Sequence, residues 1–557
     1  MGQDEDKPAA PFRPISISLT GPKWTQAPGA TQVSAESHLD AARVHLREGR
    51  LDQAARTARL AAETDPRNAE AYALWGATAL EVGRPDEAEK ALDAAARLAD
   101  PGSASWANLA SLRARALVSL GRWSEAARLA SAVAQSRPDD PVVSDRLGEV
   151  FTRINLADKA VDHFERAAAA RPDRPDFQFD LASGYRFVGR LAEAEAAYEA
   201  AIASAPDMAK AHMALAELRR WDASDAHLER LMTLRARPGL GDLDQARLDY
   251  ALFKELDDLG RPDEAWPYLP RASELARTVF GSWSASQELA GIEAMERAFP
   301  AGRFGARTAA AAGTRYIFIV GLPRSGTTLI ERILAAHSQV RAMGELPTFN
   351  LMARQASGVT SREVLNEAVV RGAARLDWPR LGYWYRQETA YLSNGAPFAI
   401  DKLPNNSDLL GPLSLAFPDA ILIRAKRAPM DVLFGAYRLL FHQSHYWSYR
   451  QDDLVQHYLN DLRLDRHWRK CLGDRVIEVD YEALVSDPEG QIRRLLDACG
   501  LPLEPACLRP HETSGSVSTA SSAQVRAPIS RGRQGAWKPY AAQLKPMSDL
   551  LSAAKVG

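Results

Sequence analysis

An alanine recurs at nearly constant spacing along the first half of this 557-residue chain. Ala54, Ala88, Ala126, Ala160 and Ala194 are separated by 34, 38, 34 and 34 residues. In four of these units a proline follows the alanine by twelve residues, where it stops one helix and lets the next begin. Because a helical unit of this size cannot bury its apolar face alone, the period predicts a solenoid of stacked helix pairs.

Glycines mark the turn between the two helices of a unit. Four of the alanines have a glycine five residues earlier, at Gly49, Gly83, Gly121 and Gly189. The period and these positions resemble the tetratricopeptide family over about residues 34–280, with the pattern lost at Arg219–Gly241. The resemblance implies a concave surface for a peptide or protein partner, and the alternative is a packed helical solenoid without a ligand. A fragment of about residues 30–280 is expected to fold by itself as an α-helical domain.

A strand, a tight loop and a helix follow one another from Tyr316 onward. The apolar run Tyr316 to Val320 leads into Gly-Leu-Pro-Arg-Ser-Gly-Thr-Thr, and Leu329 to Leu334 then carries apolar residues at helical spacing. Backbone N–H groups of such a loop and the positive end of the helix dipole converge on one point. The pattern predicts a site for phosphate or sulfate, and the alternative is a plain strand-to-helix connection.

The same loop argues against a nucleoside triphosphatase. Its spacing is close to that of a Walker A motif, but Thr327 occupies the position of the essential lysine. Arg324 supplies the positive charge instead, and a guanidinium can bind two oxygens of one anion. A P-loop kinase or nucleoside triphosphatase stays open as an alternative, which magnesium-dependent turnover would identify. Residues 315–545 are predicted to form a P-loop-like, three-layer α/β domain with a mainly parallel sheet.

Together with Gly344-Glu345, this loop carries a family resemblance. The segment Pro-Arg-Ser-Gly-Thr-Thr resembles the sulfotransferases that use 3′-phosphoadenosine 5′-phosphosulfate (PAPS), most closely the tyrosylprotein type, over about residues 315–545. The resemblance implies sulfuryl transfer to a hydroxyl of a protein tyrosine, a sugar or a small molecule. It also implies that the 5′-phosphosulfate is bound by Pro323, Arg324, Ser325, Gly326, Thr327 and Thr328.

Two further residues match catalytic positions of that family. Glu345 follows a short extended segment and matches the general base, with His337 as the next residue to test. Lys402 follows the apolar strand from Phe398 and matches a lysine that stabilises charge on the leaving group. The alternative for each is a solvated surface charge. No metal is expected, because arginine, lysine and the helix N-terminus supply the positive charge.

A second anion site is predicted after the buried strand that ends at Arg424. Arg427 matches an arginine that binds the 3′-phosphate of PAPS, whereas Gly435 stands where the family has a serine. That departure puts the strength of 3′-phosphate binding in doubt and leaves a non-catalytic scaffold with a decayed transferase domain as another alternative. In the polar late stretch, the resemblance assigns donor binding or catalysis to Ser521, Arg531, Gly532 and Arg533.

Composition limits the classes of protein to which this chain can belong. The formal net charge of −2 does not indicate binding to nucleic acid or to an anionic membrane. The three cysteines predict neither a disulfide framework nor a zinc site, and no long apolar run indicates a signal peptide or membrane span. A cytoplasmic protein is expected. Outside the two domains, the sequence predicts a disordered segment at 1–33, a connector at 281–314 and a tail at 546–557.

Overall fold

The computed structural model describes residues 34–224, 226–305, 313–361, 363–441, 445–513, 515–516, 524–530 and 534–556. The chain divides into two compact units, Met1–Ile154 and Asn155–Gly557. This division lies within the repeats, whereas the sequence analysis places a domain boundary near residue 314. We describe each unit separately.

The first unit consists of antiparallel helix pairs. The turns inside three pairs are at Gly49, Gly83 and Gly121, each with a φ of 75° that favours glycine. The recurring alanines Ala54 and Ala88 are fully buried, which lets the paired helices approach closely. The helices described in this unit are α1 (Ala35–Arg47), α2 (Leu51–Thr64), α3 (Ala69–Glu81), α4 (Pro85–Leu98), α5 (Ala104–Ser119), α6 (Trp123–Gln135) and α7 (Pro141–Arg153).

The second unit begins with further repeat helices. The pattern weakens where the sequence loses its period, because the two helices that flank residue 225 have only eight residues each. The segment predicted as a connector contains a helix of 14 residues. These helices are α8 (Ala157–Ala170), α9 (Pro175–Val188), α10 (Leu191–Ser204), α11 (Ala209–Ala216), α12 (Leu228–Arg235), α13 (Asp242–Asp258), α14 (Pro262–Ala265), α15 (Tyr268–Phe280) and α16 (Ala285–Ala298).

A five-stranded parallel sheet follows in the same unit, with strand order β2-β3-β1-β4-β5. In the central strand, Ile319 is in register with Lys402 on one side and Ile423 on the other. The carboxyl ends of the three middle strands therefore lie side by side, which is where ligands bind in open α/β sheets. The strands are β1 (Arg315–Val320), β2 (Val340–Ala342), β3 (Phe398–Lys402), β4 (Ile421–Lys426) and β5 (Val476–Asp480).

Helices cover both faces of this sheet. Ile317 and Ile319 of β1 pack with apolar residues of the helices after β1 and β5, while Tyr316 and Phe318 contact Phe417 on the opposite face. The predicted three-layer α/β architecture with a parallel sheet is confirmed. The helices after β1 are α17 (Thr327–Ala335), α18 (Thr348–Ala356), α19 (Glu367–Ala373), α20 (Trp378–Ser393), α21 (Leu410–Ala416), α22 (Pro429–Tyr437), α23 (Gln451–Leu472), α24 (Tyr481–Ser486), α25 (Pro488–Cys499) and α26 (Lys545–Ala553).

One apolar cluster joins the last repeat helices to the helices around the sheet. Phe253 of α13 contacts Phe434 of α22, and both rings pack against Tyr540. Leu269 of α15 belongs to the same buried cluster. The core of the second unit therefore continues across the predicted boundary at residue 280. Among the helices that the structure describes, none combines the length and apolar character needed to span a bilayer.

Candidate active site

The loop after β1 adopts a backbone that its glycines permit. Gly321 has a φ of 144° and Gly326 a φ of 101°, both in the region that favours glycine. A Cβ on Gly321 would lie 2.8 Å from the carbonyl oxygen of Ala425, and one on Gly326 would lie 2.6 Å from the ring of Tyr481. Arg324 also has a positive φ, 73°, which a non-glycine residue adopts infrequently. The loop is held tightly between β4 and the start of α24.

The N-terminus of α17 points its first amides toward this loop. The amides of Leu329 and Ile330 donate to the carbonyl of Gly326. The N–H groups of Thr327 and Thr328 therefore come before the first hydrogen bonds within the helix. Thr327 and Thr328 are buried at the first two helical positions. The Ser325 hydroxyl donates to the Leu322 carbonyl at 2.6 Å and braces the loop from inside. This arrangement suits an anion at the helix N-terminus.

Beside the loop, an ion-pair cluster contains the predicted base. The Lys402 ammonium donates to Glu345 Oε1 at 2.5 Å and lies 3.7 Å from Glu331 Oε2. Lys402 is fully buried at the end of β3, whereas 36% of the Glu345 side chain is exposed. The Glu345 carboxylate is therefore partly exposed to solvent, and the buried Lys402 ammonium contacts it from the protein interior.

Burial and charge act in opposite directions on this cluster. Burial alone would lower the pKa of Lys402, but the carboxylates of Glu345 and Glu331 outweigh it and raise that pKa above its ordinary value. Burial raises the pKa of Glu331, and the nearby lysine only partly offsets this rise. Lys402 is thus positively charged near neutral pH. It provides a fixed positive charge next to the Glu345 carboxylate.

Asp401, the residue before Lys402, is held by a separate network. Burial raises its pKa to about 7, against the effect of the hydrogen bonds that it accepts. The hydroxyl of Tyr385 donates to Asp401 Oδ2 at 2.6 Å, and the amide of Asn406 donates to the same oxygen at 3.3 Å. These contacts anchor the end of β3 next to the ion-pair cluster.

Arg427, at the turn after β4, contacts the loop after β1 directly. Its Nη1 donates to the carbonyl of Arg324 at 3.1 Å, and its guanidinium lies 4.3 Å above the ring of Tyr481. Asp431 lies 3.8 Å from Arg427 Nη2 and accepts hydrogen bonds from the Gly535 amide at 2.9 and 3.1 Å. Arg427 thus connects the loop after β1 with the segment near the C-terminus.

Gly435 has a close neighbour that explains its lack of a side chain. It lies on α22, where a Cβ would come within 3.1 Å of Arg324 Cβ and 3.3 Å of its Cγ. A serine at this position would therefore require Arg324 to move. The glycine and the unusual backbone of Arg324 belong to one local packing arrangement, in which the arginine side chain takes the space that a serine would need.

A cavity of about 1590 Å³ brings the two predicted anion sites together. Ser325 and Lys402 are buried, with 2% and 0% exposure, and are not among the residues that line the cavity. His337 is buried, and its Nε2 lies 3.1 Å from the Pro502 carbonyl oxygen and 3.4 Å from Glu504. The residues of the sequence analysis that line the cavity are Pro323, Arg324, Gly326, Thr327, Thr328, Glu345, Arg427 and Gly435. Four predicted residues lie outside the described residues: Ser521, Arg531, Gly532 and Arg533.

Family comparisons agree with this geometry. Residues 316–505 match the sulfotransferase family, and residues 39–104, 111–175 and 179–248 match the tetratricopeptide repeat. The chain contains tetratricopeptide repeats and a sulfotransferase domain. Both family resemblances of the sequence analysis are confirmed.

Relatives of this chain come from bacteria and animals. An uncharacterized protein of Aquifex aeolicus is 30% identical over 434 residues, which are 75% of this chain and 55% of that protein. Protein-tyrosine sulfotransferase 1 of Danio rerio is 30% identical over 224 residues, 38% of this chain and 59% of that protein. The chain thus spans little more than half the length of these two relatives.

The repeats also align with a solved structure. A thermophilic tetratricopeptide protein of Thermus thermophilus is 22% identical, and the match covers 33% of this chain and 98% of that one at a TM-score of 0.29. The assignment of the repeats therefore rests on the family match and on the helix pairs themselves.

Several residues around the sulfotransferase site were missed by sequence reasoning. Glu331 lies on α17 one turn after Thr327, and a helical projection would have placed it near the loop. Tyr481 follows β5, but only the tertiary structure brings it against Gly326. Glu217, directly after α11, also lines the cavity, and the single sequence carries no signal for this position.

Proposed function

We propose that this protein transfers the sulfuryl group of PAPS to a hydroxyl acceptor. The observation that carries the proposal is the opening of the Arg324 loop and of the Glu345 carboxylate into one cavity. A sulfuryl donor held by the loop would place its sulfur near a carboxylate able to accept a proton. Sulfuryl transfer, like phosphoryl transfer, depends mainly on positioning and on stabilising charge.

The proposed reaction is an in-line displacement at sulfur. The acceptor oxygen forms a bond to sulfur while the bond between sulfur and the 5′-phosphate oxygen breaks, and adenosine 3′,5′-bisphosphate leaves. Glu345 accepts the hydroxyl proton, which a hydroxyl does not release unaided near neutral pH. Arg324 and the amides at the start of α17 bind the phosphosulfate and stabilise the charge that develops on the leaving group.

Lys402 has two possible contributions in this reaction. Its 2.5 Å contact with Glu345 supports a role in orienting the base. Direct stabilisation of the leaving group, which the family resemblance implies, requires the buried ammonium to turn from Glu345 toward the donor. In the second case, Lys402→Ala should lower the turnover rate less with a donor analogue that has a better leaving group than with PAPS. A loss independent of the leaving group would support orientation of the base.

We propose a protein tyrosine as the first acceptor to test, because a relative of the domain carries protein-tyrosine sulfotransferase in its name. The 3′-phosphate of the donor is assigned to Arg427, together with Arg531 or Arg533 of the late segment. Ser521 is assigned to the transferring group. The repeats are proposed to bind a peptide or protein partner, for which their solenoid provides an extended surface.

The decisive experiment incubates the full chain with sulfur-labelled PAPS and three acceptor classes: tyrosine peptides, oligosaccharides and small phenols. We expect label to enter the hydroxyl of one class and adenosine 3′,5′-bisphosphate to inhibit the reaction. Tight binding of the bisphosphate with transfer to no class would favour a non-catalytic scaffold. Magnesium-dependent hydrolysis of ATP in place of sulfuryl transfer would overturn the proposal.

A further inference from the structure

Asn155 breaks the turn pattern of the repeats. It precedes Ala160 by five residues, the place occupied in four other units by Gly49, Gly83, Gly121 and Gly189. Asn155 keeps the left-handed backbone of this turn, with a φ of 60° beside 75° to 86° for the glycines. Asparagine tolerates that backbone better than most residues that carry a side chain. The substitution therefore keeps the turn and adds an amide.

The added amide contacts the loop that carries Glu345. Asn155 Nδ2 donates to the carbonyl of Met343 at 3.0 Å and to the carbonyl of Glu345 at 3.1 Å. The carbonyl between them, of Gly344, accepts from the Lys402 amide at 3.1 Å. Three consecutive carbonyls of this loop are thus held, two by a repeat turn and one by the end of β3.

Gly344 permits this close approach. Its φ of 79° favours glycine, and a Cβ there would lie 3.2 Å from Asn155 Nδ2. Asn155 is half-buried and Met343 is buried, so the two hydrogen bonds are partly shielded from water. They fix the peptide plane between Met343 and Gly344 and the plane that follows Glu345, and with them the direction in which the Glu345 side chain leaves the backbone.

We propose that Asn155 is a positioning residue for Glu345 and that the repeat turn is thereby part of the active site. This inference rests on the proposed function for the role of Glu345, but the contact itself does not depend on that role. Reactions of this kind are sensitive to small displacements of a catalytic group, and a misplacement of about 1 Å can cost about a hundredfold in rate. The other glycine turns carry no side chain that could act in this way.

Asn155→Gly is the sharpest variant, because it restores the residue of the four other turns and removes only the amide. Gly83→Asn is its matched control, since no described atom outside the neighbouring residues lies within 4 Å of the Cβ position there. The first readout is hydrogen exchange in the full chain without ligand, at the amides of Met343 and Lys402. Asn155→Gly should speed exchange at these amides by about fivefold or more, the scale of two lost hydrogen bonds, and Gly83→Asn should not.

The second readout is turnover with the acceptor found by labelled PAPS. Asn155→Gly should lower kcat about tenfold to a hundredfold, with little change in the affinity for adenosine 3′,5′-bisphosphate. Asn155→Asp, which keeps the size but loses the donor, should not restore kcat. Combined with Glu345→Gln, Asn155→Gly should add no further loss, because both act on one group.

These results separate the inference from the proposed function. Unchanged exchange at Met343 and Lys402 in Asn155→Gly would overturn the positioning role, whatever the reaction is. Faster exchange together with undiminished kcat would also overturn it. If Glu345→Gln keeps its turnover while Asn155→Gly speeds exchange, the contact stands and the assignment of Glu345 as base fails.

Discussion

The repeats of residues 34–154, the first repeat group, and those of residues 155–280, the second repeat group, share one sequence period but have different surroundings. Around the turns at Gly49 and Gly83, no described atom beyond the adjoining residues lies within 4 Å of a Cβ position. In the second group, Asn155 binds the Glu345 loop, and the Gly189 turn packs against the Arg526 guanidinium. A repeat turn can thus contact a loop of the sulfotransferase domain without altering the period that forms the solenoid.

The two groups also differ in the residues that complete their cores. In the first group, the two apolar clusters among the described residues consist of residues from the repeats themselves, such as Leu74 and Leu92. In the second group, Phe253 and Leu269 share a cluster with Phe434 and Tyr540 of the sulfotransferase region. Because folding stability is a small difference between large terms, the loss of part of a core is enough to unfold a fragment.

The largest expected effect is therefore a difference between two fragments. A fragment of residues 34–154 should be helical and unfold cooperatively, whereas residues 155–280 should form little stable structure, because their core lacks its sulfotransferase partners. Circular dichroism during thermal unfolding measures both. Equal stability of the two fragments would contradict this difference between the groups. The sequence alone predicts that a fragment of about 30–280 folds as one α-helical domain, whereas the shared cluster predicts that it behaves as the first group followed by a loosely ordered second group.

The next effect concerns the loop that the second repeat group holds. Glu345→Gln keeps the shape of the side chain and removes its basicity, so turnover should fall by about 10²–10⁴ while the affinity for adenosine 3′,5′-bisphosphate changes little. Steady-state rates with labelled PAPS measure the loss. The control is Glu81→Gln in the first group, where the carboxylate pairs with Arg115 at 3.1 Å. Parental turnover in Glu345→Gln would place the base elsewhere.

A smaller effect is expected at the second anion site. Adenosine 3′,5′-bisphosphate should bind more tightly than adenosine 5′-monophosphate, and Arg427→Ala should reduce this preference by about 1–3 kcal/mol. Calorimetry with both nucleotides measures the difference, which isolates the 3′-phosphate. Arg59→Ala, at a first-group arginine with a side chain 53% exposed, is the control and should leave the preference unchanged. Equal affinities of the parent for both nucleotides would remove the case for a 3′-phosphate site.

The smallest effect tests whether the second repeat group contributes charge to the cavity. Glu217, directly after α11, lines the cavity and interacts electrostatically with Arg324. Glu217→Gln removes a negative charge near the anion site, so adenosine 3′,5′-bisphosphate should bind about two- to fivefold more tightly. Glu81→Gln should have no such effect. Weaker or unchanged binding in Glu217→Gln would show that this carboxylate does not influence the anion.

The titration of Glu217 predicts that the binding of adenosine 3′,5′-bisphosphate depends on pH. Burial raises the pKa of Glu217, although Arg186, Lys254 and Arg324 act in the opposite direction. As pH falls through this raised pKa, the carboxylate becomes neutral and its repulsion of the anion disappears. Binding should therefore strengthen on acidification more in the parent than in Glu217→Gln, and the difference between their calorimetric pH profiles isolates this residue. Parallel profiles would exclude the effect.

The sequence by itself determined the repeats and the parts of the site that lie close together along the chain. Periodic alanines and glycines form helix pairs because their packing is local, and the loop from Gly321 to Thr328 adopts its shape between β1 and α17. The parallel sheet followed from buried strands alternating with helices.

Only the tertiary structure decided how distant segments meet. Asn155 reaches a carbonyl 188 residues away, Lys402 lies beneath Glu345, and Gly435 leaves room for Arg324. His337, an alternative base in the sequence, lies against the Pro502 carbonyl. No local period encodes such contacts, because each depends on how whole helices and strands pack. Periodicity and adjacent motifs determine elements, whereas the shape of the packed core determines which side chains share a site.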